Sequence, residues 1–219
     1  MSAVGILGGS FDPVHRGHIA LARHARLALS LDSVLLVPCA EPPHKPGRAL
    51  AARYHRLEML ELAVEDRPGV RVSTFEIAQA GVHYTIDTLR ALRRAAPSLR
   101  TVFLCGSDAL AEIDSWREYE SLLAEFDFAA VIRPGTAGET ATPEWPEVVT
   151  RRVSPLPTGA DAPLGSGGRV FCLDMPGVAV SSSAIRARCT AGAAVDDLVA
   201  ARVARYIQRH RIYSEEAAR

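Results

Sequence analysis

Residues 8–18 read Gly-Gly-Ser-Phe-Asp-Pro-Val-His-Arg-Gly-His and hold the densest chemistry in the chain. His15 and His18 lie three positions apart, with Gly17 between them. The run follows an apolar stretch at residues 3–7. It precedes a helical period from Gly17, with Leu21, Ala25 and Ala28 at i, i+4 and i+7. Glycines at such a junction let backbone approach a ligand closely. The start of the helix offers free N–H groups and the positive end of a dipole to an anion. His15 then falls just before the helix and His18 in its first turn, so both imidazoles can donate to one phosphate as charge builds in a transition state. Two plainer readings also fit: a pair of capping or surface histidines, or a metal set of Asp12, His15 and His18. The spacing is not GxGxxG and no Gly-Lys-Ser/Thr follows, so neither the dinucleotide fingerprint nor the P-loop applies.

Four further segments carry polar groups at the ends of expected elements. Pro42-Pro43-His44-Lys45 places a basic pair in a proline-stiffened loop, where it can meet a phosphate or stay solvated. Tyr84-Thr85-Ile86-Asp87-Thr88-Leu89 opens a helix that Thr85 can cap, leaving N–H groups for a carboxylate. Gly106-Ser107-Asp108 ends a strand, where a carboxylate can accept from ribose hydroxyls or cap a short helix. Trp116, downstream, can stack on a flat ring or serve the core beside Leu122 and Leu123. Ser181-Ser182-Ser183-Ala184-Ile185-Arg186 supplies hydroxyls and N–H groups at a helix start, with an arginine one turn in. That suits a polyphosphate, or equally a plain serine cap.

The string 8–18 resembles the GGSFDPxHxGH signature of the nucleotidylyltransferase superfamily. With the four other segments, which run in the same order, the chain resembles the bacterial nicotinate-mononucleotide adenylyltransferases from Gly8 to Arg186, and residues 206–213 resemble that family's C-terminal end. Class I aminoacyl-tRNA synthetases share a related element, but 219 residues is too short for them. The resemblance implies adenylyl transfer from ATP to nicotinate mononucleotide, giving deamido-NAD and pyrophosphate. It implies catalytic roles for His15, His18 and Arg186. It implies ATP contacts at Gly8, Gly9, Ser10, Phe11, Gly106, Asp108, Arg133, Ser182 and Ser183. It implies acceptor contacts at His44, Lys45, Tyr84, Thr85 and Trp116. Mg²⁺ would be held mainly by the phosphates of ATP, with no metal held by the protein alone. Arg16, and Ser183 where many relatives carry Thr, depart from the pattern without losing its chemistry. A relative with another acceptor (phosphopantetheine, nicotinamide mononucleotide or a cytidylyl acceptor) and a non-catalytic nucleotide sensor are the competing readings.

These segments need elements to hold them. Apolar runs at residues 3–7, 33–37, 70–75, 101–105, 128–132 and 169–173 read as strands. Helical periods fall between them, at 53–64 with Leu57, Leu60 and Val64 on one face, at 85–96, and at 116–125. Further helices open at 182 and run along Val199, Val203, Tyr206 and Ile207. Alternation of this kind predicts an α/β, Rossmann-like, doubly wound, mostly parallel sheet with helices on both faces. Ligands then sit at the carboxyl ends of the strands. Residues 136–168 are rich in Gly, Pro, Thr and Ala and read as an irregular insertion with a short helix near 147–152. The whole of 1–219 is expected to be one nucleotidylyltransferase domain, helical at its end from about residue 182.

Composition bounds the classes. Twenty-five basic and 25 acidic residues give zero formal charge, which argues against a nucleic-acid binder or a polybasic membrane protein. No 18-residue window is free of charge, and the N-terminus lacks a cationic leader, so a soluble cytoplasmic protein is expected. Cys39, Cys105, Cys172 and Cys189 form no CxxC pair and read as reduced thiols, of which Cys39 and Cys105 fall beside candidate site segments. No interface pattern is visible, so the sequence leaves the oligomeric state open.

Overall fold

The computed structural model describes residues 2–41, 50–79, 81–132, 144–157, 164–175, 178 and 180–214. Period-2 alternation of apolar residues builds the frame. In β1 (Ala3–Gly9), Leu7 enters one core while Val4 and Ile6 enter the other. β4 (Arg100–Gly106) and β5 (Asp127–Ile132) repeat the pattern, with Val102, Leu104, Ala129 and Val131 on one side. Phe103, Cys105, Phe128 and Ala130 face the other. Strands apolar on both faces must be covered on both faces, which is the condition of a central parallel sheet.

The remaining strands are β2 (Ser33–Pro38), β3 (Val70–Val72), β6 (Val153–Ser154) and β7 (Val170–Asp174). The helices are α1 (Arg16–Ala28), α2 (Arg53–Val64), α3 (Thr85–Ala95), α4 (Ser107–Ala111), α5 (Tyr119–Glu125), α6 (Glu147–Thr150), α7 (Ser182–Thr190) and α8 (Ala201–Arg209). The seven strands run β3-β2-β1-β4-β5-β7-β6, and every pairing between neighbours is parallel. The strand order reverses between β1 and β4. A crevice opens at such a switch point outside the carboxyl ends of the strands. Residues 10–18 follow β1 into that crevice, and Ser107 and Asp108 follow β4.

Three local expectations change. The third strand stops at Val72 rather than residue 75: the Ser73 N–H makes a last bond to the Leu36 carbonyl of β2 at 2.8 Å, and the chain then turns as the Ser73 hydroxyl accepts from the Phe75 N–H at 3.2 Å. The region 136–168 is not wholly irregular: α6 forms within the expected helix, and β6 adds an edge strand beside β7. The buried face of α2 is Arg56, Met59, Leu60, Ala63 and Val64, with Leu57 only half-buried. Asp127, fully buried, organises the way into β7 by accepting from the Gly165 and Arg169 N–H groups and pairing with the Arg169 guanidinium at 2.8 Å. Among the described residues no helix is long and apolar enough to cross a membrane.

Candidate active site

The turn after β1 brings the histidines together. Phe11 takes a left-handed backbone angle, φ 47°, and its buried ring packs under Gly9, where a Cβ would meet it at 3.3 Å. His15 is the N-cap of α1 and His18 the third residue of its first turn. Their rings stack at 3.6 Å between centroids, and Phe11 closes on His18 edge-on at 4.9 Å. Gly17 is required by this packing. A Cβ there would lie 3.1 Å from both His15 Nδ1 and Val180 Cγ1. The His15 N–H donates to His18 Nδ1 at 3.2 Å. With Nδ1 accepting, a neutral His18 carries its proton on Nε2.

The start of α7 is fastened to the same turn. The Ser182 hydroxyl donates to the Pro13 carbonyl at 3.0 Å, and an Arg186 N–H donates to the Asp12 carbonyl at 2.6 Å. The Ser181 hydroxyl caps α7 by accepting from the Ala184 N–H at 3.2 Å, and it contacts the Ser183 hydroxyl at 3.0 Å. Ser183 is exposed, whereas the Ser182 hydroxyl is engaged within the protein. Ser183 and Arg186 on α7 are thereby held next to the turn that carries His15 and His18. On the β4 side, Gly106 is the N-cap of α4, and Asp108 is exposed in its first turn rather than capping it.

On the other flank, Tyr84 is the N-cap of α3 and Thr85 its first residue, so Thr85 does not cap the helix. The Tyr84 side chain makes no cap bond, so among the described residues this helix end keeps N–H groups of the kind a ligand can take. Trp116 is not on the helix of Leu122 and Leu123. It follows a single 3₁₀ turn (Ile113–Ser115), and its half-buried ring meets Phe103 edge-on at 5.9 Å. Phe103 also lies 3.6 Å from where a Gly8 Cβ would stand, so Trp116 is tied to the end of β1. The Arg117 guanidinium lies over the Tyr84 ring at 4.8 Å. His44, Lys45 and Arg133 lie outside the described residues.

Arg56 was not anticipated, and Asp12 serves the site framework in a way the metal reading did not foresee. Arg56 is 1% exposed and donates to four backbone carbonyls: Ser10 and Cys39 at 2.8 Å, and Ala40 and Ala51 at 3.1 Å. It clamps the turns after β1 and β2 to the start of α2. Its signal was its phase, since Arg56 shares the buried stripe of Met59, Leu60 and Ala63. Asp12, also 1% exposed, accepts at Oδ1 from the Tyr213 hydroxyl at 2.7 Å and from the Ala51 N–H at 3.2 Å. Arg16 turns away from the cleft, its guanidinium donating to the Asp196 and Val199 carbonyls. Burial pushes the Cys39 thiol up, and the Cys105 thiol up to about 12, which disfavours the reactive thiolate at both.

Comparison with known proteins bears on the family and the fold. The cytidylyltransferase-like family profile matches residues 6–188. A protein of Symbiobacterium thermophilum named nicotinate-nucleotide adenylyltransferase is 38% identical over 97% of this chain and 96% of its own. One of the same name from Bordetella petrii is 40% identical over 97% of this chain and 100% of its own. The structure of Plasmodium falciparum nicotinic acid mononucleotide adenylyltransferase complexed with NaAD superposes with a TM-score of 0.73. It covers 97% of this chain and 98% of that one at 20% identity, a likeness of fold. By its full-length identity to these relatives, the chain belongs to the nicotinate-nucleotide adenylyltransferase family.

Proposed function

We propose that the chain transfers the adenylyl group of ATP to nicotinate mononucleotide, releasing deamido-NAD and pyrophosphate. The observation that carries this reading is the stacked His15–His18 pair at the head of α1, at the switch point of the sheet, with the start of α7 fastened against it. Full-length relatives named for this activity support it.

A phosphate oxygen of the mononucleotide attacks the α-phosphorus of ATP in line. The bond from that phosphorus to the bridging oxygen of the β-phosphate breaks, and the electron pair leaves with pyrophosphate. No covalent enzyme intermediate is needed, so the protein acts by positioning and charge stabilisation. His18 Nε2–H donates to the transferred phosphate as its charge grows, and His15 stands against the same triphosphate. Arg186 and the exposed N–H and hydroxyl groups at Ser183 hold the leaving pyrophosphate, with Ser182 bracing that helix start. Gly8, Gly9, Ser10 and Phe11 shape the floor beneath ATP, Gly106 and Asp108 receive the ribose, and Arg133 flanks the adenosine. His44 and Lys45 meet the acceptor phosphate, Trp116 and Tyr84 frame the pyridine ring, and the N-terminus of α3 at Thr85 takes its carboxylate.

A Mg²⁺ ion would come with ATP, bound to its phosphates. Among the described residues no three His, Cys, Asp or Glu side chains gather as a metal site. Asp12 Oδ1 accepts from Tyr213 and Ala51. Bound to the phosphates, the ion would neutralise part of their charge. The unbroken seven-stranded sheet supports reading residues 1–219 as one domain, and four free thiols support a reducing, cytoplasmic setting. The test is ATP labelled at its α-phosphorus, incubated with Mg²⁺ and nicotinate mononucleotide. Label in a dinucleotide with unlabelled pyrophosphate is expected, and label retained in ATP would refute the reaction.

A further inference from the structure

The last turn of the chain returns to its first motif. After α8, Arg211 and Tyr213 take left-handed backbone angles, φ 51° and 66°. Such angles strain a residue with a large side chain and persist only where the surroundings impose them. Here the Ile212 N–H donates to the Ile207 carbonyl at 3.0 Å, and the Ile212 side chain is buried in the core. The Thr190 hydroxyl donates to the Tyr213 carbonyl at 3.0 Å. The strained turn aims the Tyr213 hydroxyl at Asp12 Oδ1, 201 positions away in sequence.

What Asp12 touches explains why that aim matters. Oδ1 accepts from Tyr213 and from Ala51. Oδ2 is buried and accepts no hydrogen bond from the described residues, although an Arg186 nitrogen stands 3.7 Å away. That nitrogen donates instead to the Asp12 carbonyl. Arg186 is thus steadied beside the carboxylate without being captured by it, and its other N–H groups remain for phosphate. Carboxylate and guanidinium otherwise favour a two-pronged hydrogen-bonded pair. Burial and the neighbouring carboxylate push the Tyr213 phenol far above its usual range, so the hydroxyl is a constant donor.

We propose that Tyr213 is a positioning residue for the adenylyl-transfer reaction: its hydroxyl fixes the Asp12 carboxylate so that Arg186 stays aimed at the phosphates. Without that hydroxyl the carboxylate turns, pairs with Arg186 through both oxygens and draws the guanidinium out of the cleft. The inference rests on the phosphate-holding role of Arg186 proposed above.

The test is a double-mutant cycle of Tyr213→Phe and Arg186→Ala, with kcat, both KM values and the melting temperature measured for each protein. Tyr213→Phe alone is expected to lower kcat by roughly tenfold, a modest misplacement on the scale of catalytic positioning, with KM values moved by less than about threefold. In the Arg186→Ala background the same change is expected to cost less than about twofold, because coupled residues do not add. A purely structural role for Tyr213 would lower the melting temperature and cost the same factor in both backgrounds. That result, or full turnover by Tyr213→Phe, overturns the proposal while leaving the reaction intact. Full turnover by Arg186→Ala alone overturns the role of Arg186 and the proposal with it.

Discussion

His18→Ala separates catalysis from scaffolding. In the native site His18 does two things: Nδ1 accepts the His15 N–H at 3.2 Å, and the ring stacks on His15 at 3.6 Å. Alanine removes both and also the Nε2–H donor. Loss of the cap costs about 1 kcal/mol of stability. For a chain of this length that lowers the melting temperature by about 2–4 °C. The donor is a different matter. Removing one preorganised donor from a developing phosphate charge costs about 2.7–4 kcal/mol, or about 10²–10³ in kcat. Thermal melting read beside initial rates of pyrophosphate release therefore gives two numbers of very different size. A small melting shift with a hundredfold or greater loss of kcat is expected. A folded His18→Ala protein turning over within about threefold of the parent would refute the role assigned to His18, since one lost donor of this kind costs at least about a hundredfold.

Arg56→Met strands the buried carbonyls of Cys39 and Ala40 at about 1–3 kcal/mol each, partly offset by removing a buried charge. A net loss of about 2–4 kcal/mol is expected in urea unfolding, with a fall in kcat/KM; an unchanged midpoint would contradict the clamp. Glu76 is buried and holds the Thr88 hydroxyl at 2.6 Å, and burial raises its carboxyl above its usual range. The folded state then binds this proton more tightly than the unfolded state, so stability from Glu76 is present below its unfolded pKa and is lost as pH rises through the folded value. Glu76→Gln, which keeps the acceptor, is expected to melt higher than the parent at pH 8 and to lose that advantage near pH 4; an unchanged difference across that range would contradict it.

Much of this was legible because it rests on local chemistry. The strand–glycine–histidine–helix junction at 8–18 and the serine-rich helix start at 181 are spelled by consecutive residues. The continuous apolar runs of β1, β4 and β5 announce a sheet buried on both faces. What escaped rests on long-range contact. The phase of Arg56 on α2 hints at burial, but its partners at Ser10 and Cys39 come from turns distant in sequence. Tyr213 and Asp12 meet only in the folded chain. β6 is two residues long and exists because β7 offers it an edge. Thr85 has the right residue type for a cap, but the extended backbone of Tyr84 moves the helix start by one position.

The acceptor carries the central claim. The uncapped N-terminus of α3 offers a carboxylate about 0.3–1 kcal/mol from its dipole and about 1.5–3 kcal/mol from charged hydrogen bonds. Together these amount to a preference of roughly 20- to 800-fold for nicotinate over nicotinamide mononucleotide. The deciding measurement is kcat/KM for pyrophosphate release with ATP and Mg²⁺, the two mononucleotides assayed side by side. A preference of that order for nicotinate mononucleotide is predicted. Equal values would contradict the role of Thr85 and its helix, and no release with either mononucleotide would contradict the reaction itself.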